Sequence, residues 1–379
     1  MEMALYYREL GYYMKGDTPI GRRGDYYTSP HLHKIFGFML AKQVREVWHV
    51  MGRPKAFQVV ELGAGMGYLA KDILEYLKGE GEKDPEAGTL FERLQYTIVE
   101  LNPSVRKRQQ RMCSEFGNRI QWSPDLEGIE PITGCVLSNE LLDAFPVRLV
   151  EMGDELMEVY VSVKDTRTLN RSGEETEVEE GGSEDFSDED NFIEVRMPCS
   201  EEIRDYFEEF GVTLPRGYRT EVNLKIRDWI KEVCSKLSTG FILTIDYGYP
   251  AWEYYREERS TGTLLCYHQH RTSENPYHNI GEQDITAHVN FSSLKRWGDA
   301  SGLKTVGYCP QGTYLVSLGI DGVINELYRD FPDPFGIAQV KGLVLPQGMG
   351  ESHKVLMQYK GKGEPKLDGF ALRNQMWKL

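Results

Sequence analysis

The chain has 379 residues, of which 40% are hydrophobic, and a net charge of −15. Its length predicts one large α/β domain with insertions, or two units. Ten acidic residues and no basic residue lie between Ser172 and Asp190, so this stretch carries two thirds of the net charge. The sequence contains no basic patch of the kind that would indicate a nucleic-acid partner.

The chain also lacks the usual signals of export or membrane insertion. No apolar run approaches the roughly 18 residues of a membrane-spanning helix, and no signal peptide opens the chain. The six cysteines include no Cys-x-x-Cys pair, which is typical of reduced thiols. We therefore expect a bacterial-type protein of the cytoplasm.

The first half of the chain alternates predicted strands and helices. Residues 56–62 are apolar and β-branched, and residues 66–78 carry apolar side chains at helical spacing. The polar, glycine-bearing residues 78–88 are expected to form a loop. Further strands are predicted at 95–101, 118–122 and 132–140. Apolar strands separated by helices are typical of a parallel sheet covered on both faces.

The middle of the chain has the alternating pattern of antiparallel strands, and the late part returns to α/β order. The acidic run from about 170 to 191 lies between two of the alternating strands. A solvated loop is the simplest interpretation of this run, and docking of a basic partner is the alternative. The sequence after Lys360 resembles a tail.

The first predicted strand runs into a glycine-rich loop. Gly63, Gly65 and Gly67 remove side chains where the backbone would pass close to a ligand. Their G-x-G-x-G spacing differs from the G-x-G-x-x-G of dinucleotide folds, and Glu61 precedes them. A carboxylate there would repel a pyrophosphate but suits the ammonium and sulfonium of S-adenosylmethionine. The loop favours this methyl donor over NAD, with a simple tight turn as the alternative.

Two other strand ends carry polar side chains. Glu100 closes the second strand, where an acid can accept both ribose hydroxyls, although a surface acid is the alternative. Asn139, Glu140 and Asp143 follow the fourth strand, at the edge where parallel sheets bind ligands. Asn139 can hold donor or substrate, and the two acids can bind a cationic acceptor. Alternatively, Asn139 caps a helix whose early acids are Glu140 and Asp143.

Histidines and a cysteine offer further candidates. Cys266, His268 and His270 would alternate on one face of a strand, which admits a metal site, but ordinary packing is favoured and no metal is predicted. His288 stands in a DITAHVNF stretch. Asp284 in the same stretch either caps a helical turn or faces the acceptor.

The chain resembles the MidA family of class I S-adenosylmethionine-dependent methyltransferases over nearly its whole length. Beside the glycine loop, the matching motifs are GDYYTSPHLHKIFG at 24–37, SNELLDAFPVR at 138–148, LTIDYG at 243–248, GEQDITAHVNF at 281–291 and MGESHKVL at 349–356. The resemblance implies that Asp25 and the residues after it fold near the donor pocket. The predicted donor-binding residues are Thr28, Ser29, Pro30, Glu61, Gly63, Ala64, Gly65, Glu100, Leu101 and Asn139. The predicted catalytic residues are Glu140, Asp143 and His288.

The expected fold class is α/β, a doubly wound, mostly parallel, seven-stranded Rossmann-like methyltransferase sheet with an inserted antiparallel and helical subdomain. The predicted segments are an N-terminal helical lid at 1–50, the first half of the core at 51–150, the insertion at 151–238, the second half of the core with a substrate-side insertion at 239–360, and the tail at 361–379.

The resemblance also implies a function, because mitochondrial members of the family resemble complex I assembly factors that methylate a protein arginine. We expect S-adenosylmethionine-dependent methylation of an arginine in a protein, with a respiratory complex I type subunit as one candidate. The alternatives are a non-catalytic, donor-binding assembly chaperone and, more distantly, a dinucleotide oxidoreductase. The expected partner is a protein with an accessible arginine, without nucleic acid or a membrane span. The oligomeric state stays open, with a homodimer as one option.

Overall fold

A computed structural model describes residues 1–16, 28–163 and 191–379. Asp25 and the acidic stretch 172–190 lie outside these ranges. The strands are β1 (Phe57–Leu62), β2 (Leu94–Val99), β3 (Ile120–Ser123), β4 (Ile132–Asn139), β5 (Arg148–Met152), β6 (Leu156–Val163), β7 (Phe192–Pro198), β8 (Arg219–Val222), β9 (Leu237–Tyr249), β10 (Leu265–His268), β11 (Arg271–Ser273), β12 (Asp284–Thr286), β13 (Val289–Asn290), β14 (Lys304–Pro310) and β15 (His353–Lys360).

The α-helices are α1 (Glu2–Tyr6), α2 (Ser29–Leu32), α3 (Ile35–Val50), α4 (Tyr68–Lys83), α5 (Pro85–Arg93), α6 (Pro103–Met112), α7 (Glu201–Glu209), α8 (Lys225–Lys236), α9 (Ala251–Tyr254), α10 (Phe291–Ala300), α11 (Gln311–Ser317), α12 (Ile320–Tyr328), α13 (Pro334–Val344) and α14 (Met349–Ser352). Short 3₁₀ turns lie at Tyr12–Met14, Ser114–Arg119, Glu257–Arg259, Asp368–Phe370 and Met376–Lys378. In the described ranges, no helix is both long and apolar enough to cross a membrane.

A mixed sheet forms the centre of the molecule. Its order, within the described residues, is β14–β15–β9–β4–β1–β2–β3, and the two-residue β13 adds an eighth strand beside β9. The strands from β9 to β3 run parallel, whereas β15 is antiparallel to both of its neighbours. The predicted doubly wound, mostly parallel sheet is confirmed. The strand order reverses between β1 and β4, which brings their carboxyl ends together at the usual ligand-binding edge.

Apolar side chains cover both faces of this sheet, as continuous apolar strands require. One buried cluster joins α3 and α4 to the sheet, and a second joins α8 and α10 to the opposite face. The inserted strands pair in an antiparallel sheet of order β7–β6–β5–β8, and the residues that follow form a small β11–β10–β12 sheet.

Residues 78–88 do not form the expected loop. Helix α4 continues to Lys83, and α5 starts at Pro85 after Asp84, whose side chain accepts a hydrogen bond from the backbone N–H of Glu86. A Cβ atom on Gly81 would lie 2.9 Å from Cα of Gly88. These glycines therefore permit close packing of two helices, rather than interrupting them.

The strand expected through Cys266, His268 and His270 is also wrong. Strand β10 ends at His268, and Gln269 and His270 have φ values of 49° and 60°, which make a tight hairpin turn into β11. The three side chains do not share a strand face. In the ranges that the structure describes, no group of three or more His, Cys, Asp or Glu is arranged to hold a metal.

The segment after Lys360 packs against the core. Leu367 and Phe370 are buried, and the backbone N–H of Gln375 donates to the carbonyl of Tyr308 at 2.7 Å. The bare Cα of Gly307 makes room for the ring of Phe370, which would clash with a Cβ atom there. Composition alone conceals this packing, because only a few apolar residues anchor the segment.

Candidate functional site

A cavity of about 350 Å³ opens at the carboxyl ends of β1, β2 and β4. Its lining includes most of the predicted site: Thr28, Pro30, Glu61, Gly63, Ala64, Gly65, Glu100, Leu101, Asn139 and Glu140. In the described part of the chain, Ser29, Asp143 and His288 do not line it. The volume falls within the usual range for small-molecule pockets, roughly 300–1,000 Å³.

The glycines of this loop have backbone conformations that favour glycine, and at Gly63 a side chain would also clash. Gly63, Gly65 and Gly67 have φ values of 71°, 52° and 84°, in the left-handed region that residues with a Cβ atom rarely adopt. A Cβ atom on Gly65 would meet no described protein atom within 4 Å, because the space beside it is open. A Cβ atom on Gly63 would instead press on Leu141 at 2.8 Å. The loop thus exposes bare backbone to the cavity.

Gln109 ties this loop to the acid at the end of β2. Its buried Nε2 donates to the carbonyl of Gly65 at 2.8 Å and to Oε2 of Glu100 at 3.2 Å. Its Oε1 accepts from the indole N–H of Trp122 at 3.1 Å. Glu100 also accepts from the backbone N–H of Asn102 at 2.8 Å, and burial raises the pKa of this carboxyl. Sequence reasoning missed Gln109, which lies in a polar helix without any motif.

Glu61 is more enclosed than its predicted role requires. The side chain is 3% exposed, and its Oε2 accepts from the Tyr96 hydroxyl at 2.8 Å. Burial raises the pKa of Glu61 to about 7, although the Tyr96 hydrogen bond opposes this shift. At neutral pH, the carboxyl therefore carries only part of the negative charge that the sequence suggested.

The N-terminal residues 1–16 lie over the same cavity. Tyr6, Tyr13 and Met14 line it, and the Tyr6 hydroxyl donates to the carbonyl of Ala144 at 3.0 Å. The Tyr13 hydroxyl donates to Asp284 at 2.6 Å, so Asp284 faces this segment. The side chain of Asn102 donates to two backbone carbonyls of the segment at 2.9 Å each.

Glu140 is held in one orientation beside Asn139. Its Oε1 accepts from the backbone N–H of Ser29 and from the Asn139 amide, both at 3.1 Å. Its φ of 49° is unusual for a residue with a side chain, and its own N–H donates to the carbonyl of Ile245 at 2.8 Å. Residues 140–147, all of them described, form turns rather than a helix. The alternative of Asn139 as a helix cap is therefore wrong.

A second acid, Asp143, lies buried behind Glu140. Its Oδ2 accepts a short hydrogen bond from the Tyr247 hydroxyl. Burial raises the pKa of Asp143 to about 7, and the nearby Glu140 carboxylate acts in the same direction. Asp246, fully buried, accepts from the backbone N–H groups of Leu142 and Tyr247 at 3.0 and 2.9 Å, and burial raises its pKa as well.

Sequence reasoning also missed Asp246 and Tyr247 as parts of this cluster. Both stand in the LTIDYG motif at the end of β9, next to β4 in the sheet. The signal was available, because an acid at the carboxyl end of a buried parallel strand is the same pattern that selected Glu100.

The histidines are placed differently from expectation. His288 is half-buried against the rings of Tyr247 and Tyr249, and desolvation lowers its pKa to about 4. A neutral, enclosed imidazole away from the cavity lining is a poor proton acceptor for chemistry there. His31 lines the cavity instead, and its Nδ1 lies 2.7 Å from the hydroxyl of Thr28.

Comparison with known proteins shows the family of this chain. A model of the S-adenosyl-L-methionine-dependent methyltransferase family matches residues 39–309. The chain belongs to this family. The resemblance drawn from the motifs is thereby confirmed, and so are S-adenosylmethionine as the cofactor and methyl transfer as the activity.

Solved structures give the same result over the whole chain. A COG1565 superfamily member from Burkholderia thailandensis, solved bound to S-adenosyl-homocysteine, matches with a TM-score of 0.83 and 31% sequence identity, covering 100% of this chain and 90% of that chain. A native structure from the same superfamily and organism matches with a TM-score of 0.80 and 30% identity, with the same coverage.

Curated relatives include protein arginine methyltransferase NDUFAF7 proteins of mitochondria. The Drosophila melanogaster homolog is 26% identical over 96% of this chain and 81% of its own length. The human protein is 24% identical over 96% of this chain and 76% of its own length. The expectation of a cytoplasmic protein is therefore wrong, because these relatives are mitochondrial.

Proposed function

We propose that this methyltransferase modifies the guanidinium group of an arginine side chain in a protein. The names of the NDUFAF7 relatives, which match over most of the chain, support a protein arginine as acceptor. Because the family resemblance extends to complex I assembly factors, a respiratory complex I type subunit is the first acceptor to assay.

Two buried oxygens beside Glu140 carry this proposal. Asn139 Oδ1 and Asp143 Oδ1 accept no hydrogen bond within residues 1–16, 28–163 and 191–379. Buried acceptors without donors are costly, at about 1–3 kcal/mol each. A guanidinium offers five N–H donors and no acceptor, and a carboxylate can bind it through two parallel hydrogen bonds. Asn139 lines the cavity and Asp143 lies behind it, so a ligand that only donates suits this end of the cavity.

The donor occupies the part of the cavity near the glycine loop in this proposal. Gly63, Ala64 and Gly65 offer bare backbone, and Glu100 accepts the ribose hydroxyls. Glu100 can do so because a carboxylate has about four lone-pair sites, and its described contacts use two. Leu101 and Pro30 add apolar contact. When bound, the donor supplies a methyl group carried by a sulfonium.

The remaining polar residues act on orientation and charge. The N–H of Ser29 and the amide of Asn139 fix Oε1 of Glu140, so the carboxylate meets the guanidinium in a preset position. Its negative charge offsets the repulsion between two cations, and alignment of the reacting atoms supplies much of the rate. Asp143 supports Glu140 from behind. Glu61 and Thr28 complete the donor side.

Labelling tests this proposal directly. The purified protein is incubated with methyl-labelled S-adenosylmethionine and an extract of cells that lack the gene, and labelled proteins are fragmented and sequenced by mass spectrometry. We expect label on arginine. Label confined to another residue type, or to small molecules, would reject arginine as the acceptor while leaving the methyltransferase assignment intact.

A further inference from the structure

A histidine faces Glu140 from the side opposite Ser29. His353 opens β15 and pairs in register with Tyr247. Its Nε2 lies 3.6 Å from Oε2 of Glu140, and both side chains are more than nine-tenths buried. Since two donors already occupy Oε1 of Glu140, Oε2 is the oxygen with lone pairs to spare.

The other ring nitrogen of His353 lies beside a hydroxyl group. Nδ1 is 3.1 Å from the Ser352 hydroxyl oxygen, and that hydroxyl donates to the carbonyl of Gly348 at 3.4 Å. While it donates to Gly348, the hydroxyl oxygen can accept from Nδ1, and the proposal below takes this tautomer, with the hydrogen on Nδ1. In this tautomer Nε2 carries a lone pair, and it is buried without a hydrogen-bond partner in the described part of the chain.

We propose that His353 receives, through Glu140, the proton that the acceptor nitrogen loses during methylation, an inference that rests on the proposed function. The nitrogen lone pair forms the new N–C bond, and sulfur keeps the electron pair of the broken C–S bond. As this bond forms, the same nitrogen loses one N–H proton to Oε2 of Glu140, and this proton passes to Nε2 of His353. The carboxylate and the singly charged guanidinium are restored, and the imidazole becomes an imidazolium.

Acidic and aromatic side chains surround His353. The carboxyls of Glu140 and Asp143 lie nearby, and Tyr247 packs edge-on against the ring at 5.5 Å between centroids. Lys354, the next residue, points its ammonium at Glu351. Among the described residues, the titratable groups near His353 include Glu140, Asp143, Asp246, Tyr247, His288, Glu351 and Lys354.

His288 is the natural competitor for this role. Its ring also packs against Tyr247, and a charge on His353 disfavours a charge on His288. Only one of the two imidazoles can readily carry the proton. The bare Nε2 facing Glu140 selects His353, which acts through Glu140 and is therefore a positioning and proton-accepting group rather than a contact of the substrate.

Two substitutions of His353 separate this role from a structural one. His353→Asn keeps an amide that can donate to Ser352, and His353→Gln places an amide near the former Nε2, but neither can take a proton. His288→Gln is the comparison. Thermal unfolding and calorimetric binding of S-adenosylmethionine establish that each variant is folded and binds the donor as the wild type does.

Single-turnover rates with an arginine peptide are then measured from pH 6 to 9. We expect the single-turnover rate of both His353 variants to be roughly 10²-fold lower at neutral pH, which is the scale of a proton-accepting group. The peptide KM should be unchanged. Their rates should keep rising with hydroxide, whereas the wild-type rate levels off. Wild-type rates in both variants, or a loss confined to His288→Gln, would overturn the proposal. If the wild type fails to methylate arginine, the proposed function fails first.

Nitrogen-15 NMR of the histidines gives a readout independent of turnover. The His353 signals are assigned by their absence in His353→Gln. We expect a neutral imidazole with hydrogen on Nδ1 and a bare Nε2 in the free protein. A hydrogen on Nε2 would contradict proton transfer from Glu140 to His353, even if methylation of arginine is demonstrated.

Discussion

Oε1 of Glu140 accepts a hydrogen bond from the backbone N–H of Ser29, which lies 111 residues earlier in the chain, at 3.1 Å. This contact joins Ser29, the first residue of α2, to the acid after β4. It explains why two motifs that are distant in sequence act at one site. The start of α2 also brings Thr28 and Pro30 to the cavity lining, so donor and acceptor residues share a wall.

Replacing Gly65 by Val should abolish binding of S-adenosylmethionine without unfolding the sheet. The side chain would enter open space at the cavity, and the φ of 52° would add local strain. Gly117→Val is a matched control, since Gly117 has a φ of 54° and equally open space outside the cavity lining. Calorimetry measures binding, and undiminished binding by Gly65→Val would refute this placement of the donor.

Gln109→Leu should weaken both the donor site and the fold. The change leaves the carbonyl of Gly65 and the indole N–H of Trp122 without their buried partner, at a cost of about 1–3 kcal/mol in the free energy of unfolding. Donor affinity should fall by about tenfold or more, because an equilibrium changes tenfold for each ~1.4 kcal/mol. Chemical denaturation and calorimetry check the two effects. A loss of stability with unchanged affinity would show that Gln109 does not shape the donor site.

Asp143→Asn should stabilise the protein more at pH 8 than at pH 5. The pKa of Asp143 is about 7 in the folded state, above the ordinary aspartate value, so the folded state binds more protons between about pH 4 and 7. As the pH rises through this window, the free energy of unfolding of the wild type therefore falls by up to about 1.4 kcal/mol per pH unit. Asn carries no such dependence. Denaturation at several pH values decides, and a constant difference between the two proteins would contradict the raised pKa.

Local patterns predicted the donor side of the site. The glycine loop and Glu100 follow apolar strands directly, so strand periodicity and turn chemistry place them at one edge of a parallel sheet. The same logic selected Asn139 and Glu140. These predictions depend only on residues that are close together in the sequence, so a single sequence is enough to make them.

The acceptor side depended on contacts that a sequence does not display. Tyr247 reaches Asp143 across 104 positions, and His353 meets Glu140 only because β15 inserts antiparallel next to β9. His288 stands in one of the matching motifs, but it packs against two tyrosines and does not line the cavity. Residues 78–88 were expected to form a loop, but their glycines lie where two helices pack closely, a contact that the sequence does not display.

Glu140→Gln isolates the negative charge that Glu140 contributes to the proposed acceptor site. Gln keeps the size of the side chain and an oxygen for the N–H of Ser29, but loses the negative charge. Donor binding should stay near the wild-type value, because Glu140 does not hold the donor in this account. Glu130→Gln, a change at an exposed acid outside the cavity lining, is the matched control.

The rate of a single methyl transfer to the identified acceptor, with enzyme in excess and donor saturating, tests the central claim most directly. We expect product on arginine, with a rate roughly 10²-fold or more lower for Glu140→Gln and unchanged for Glu130→Gln, on the scale of removing a positioned electrostatic group. A wild-type rate for Glu140→Gln would contradict the account, since the guanidinium would then be held elsewhere.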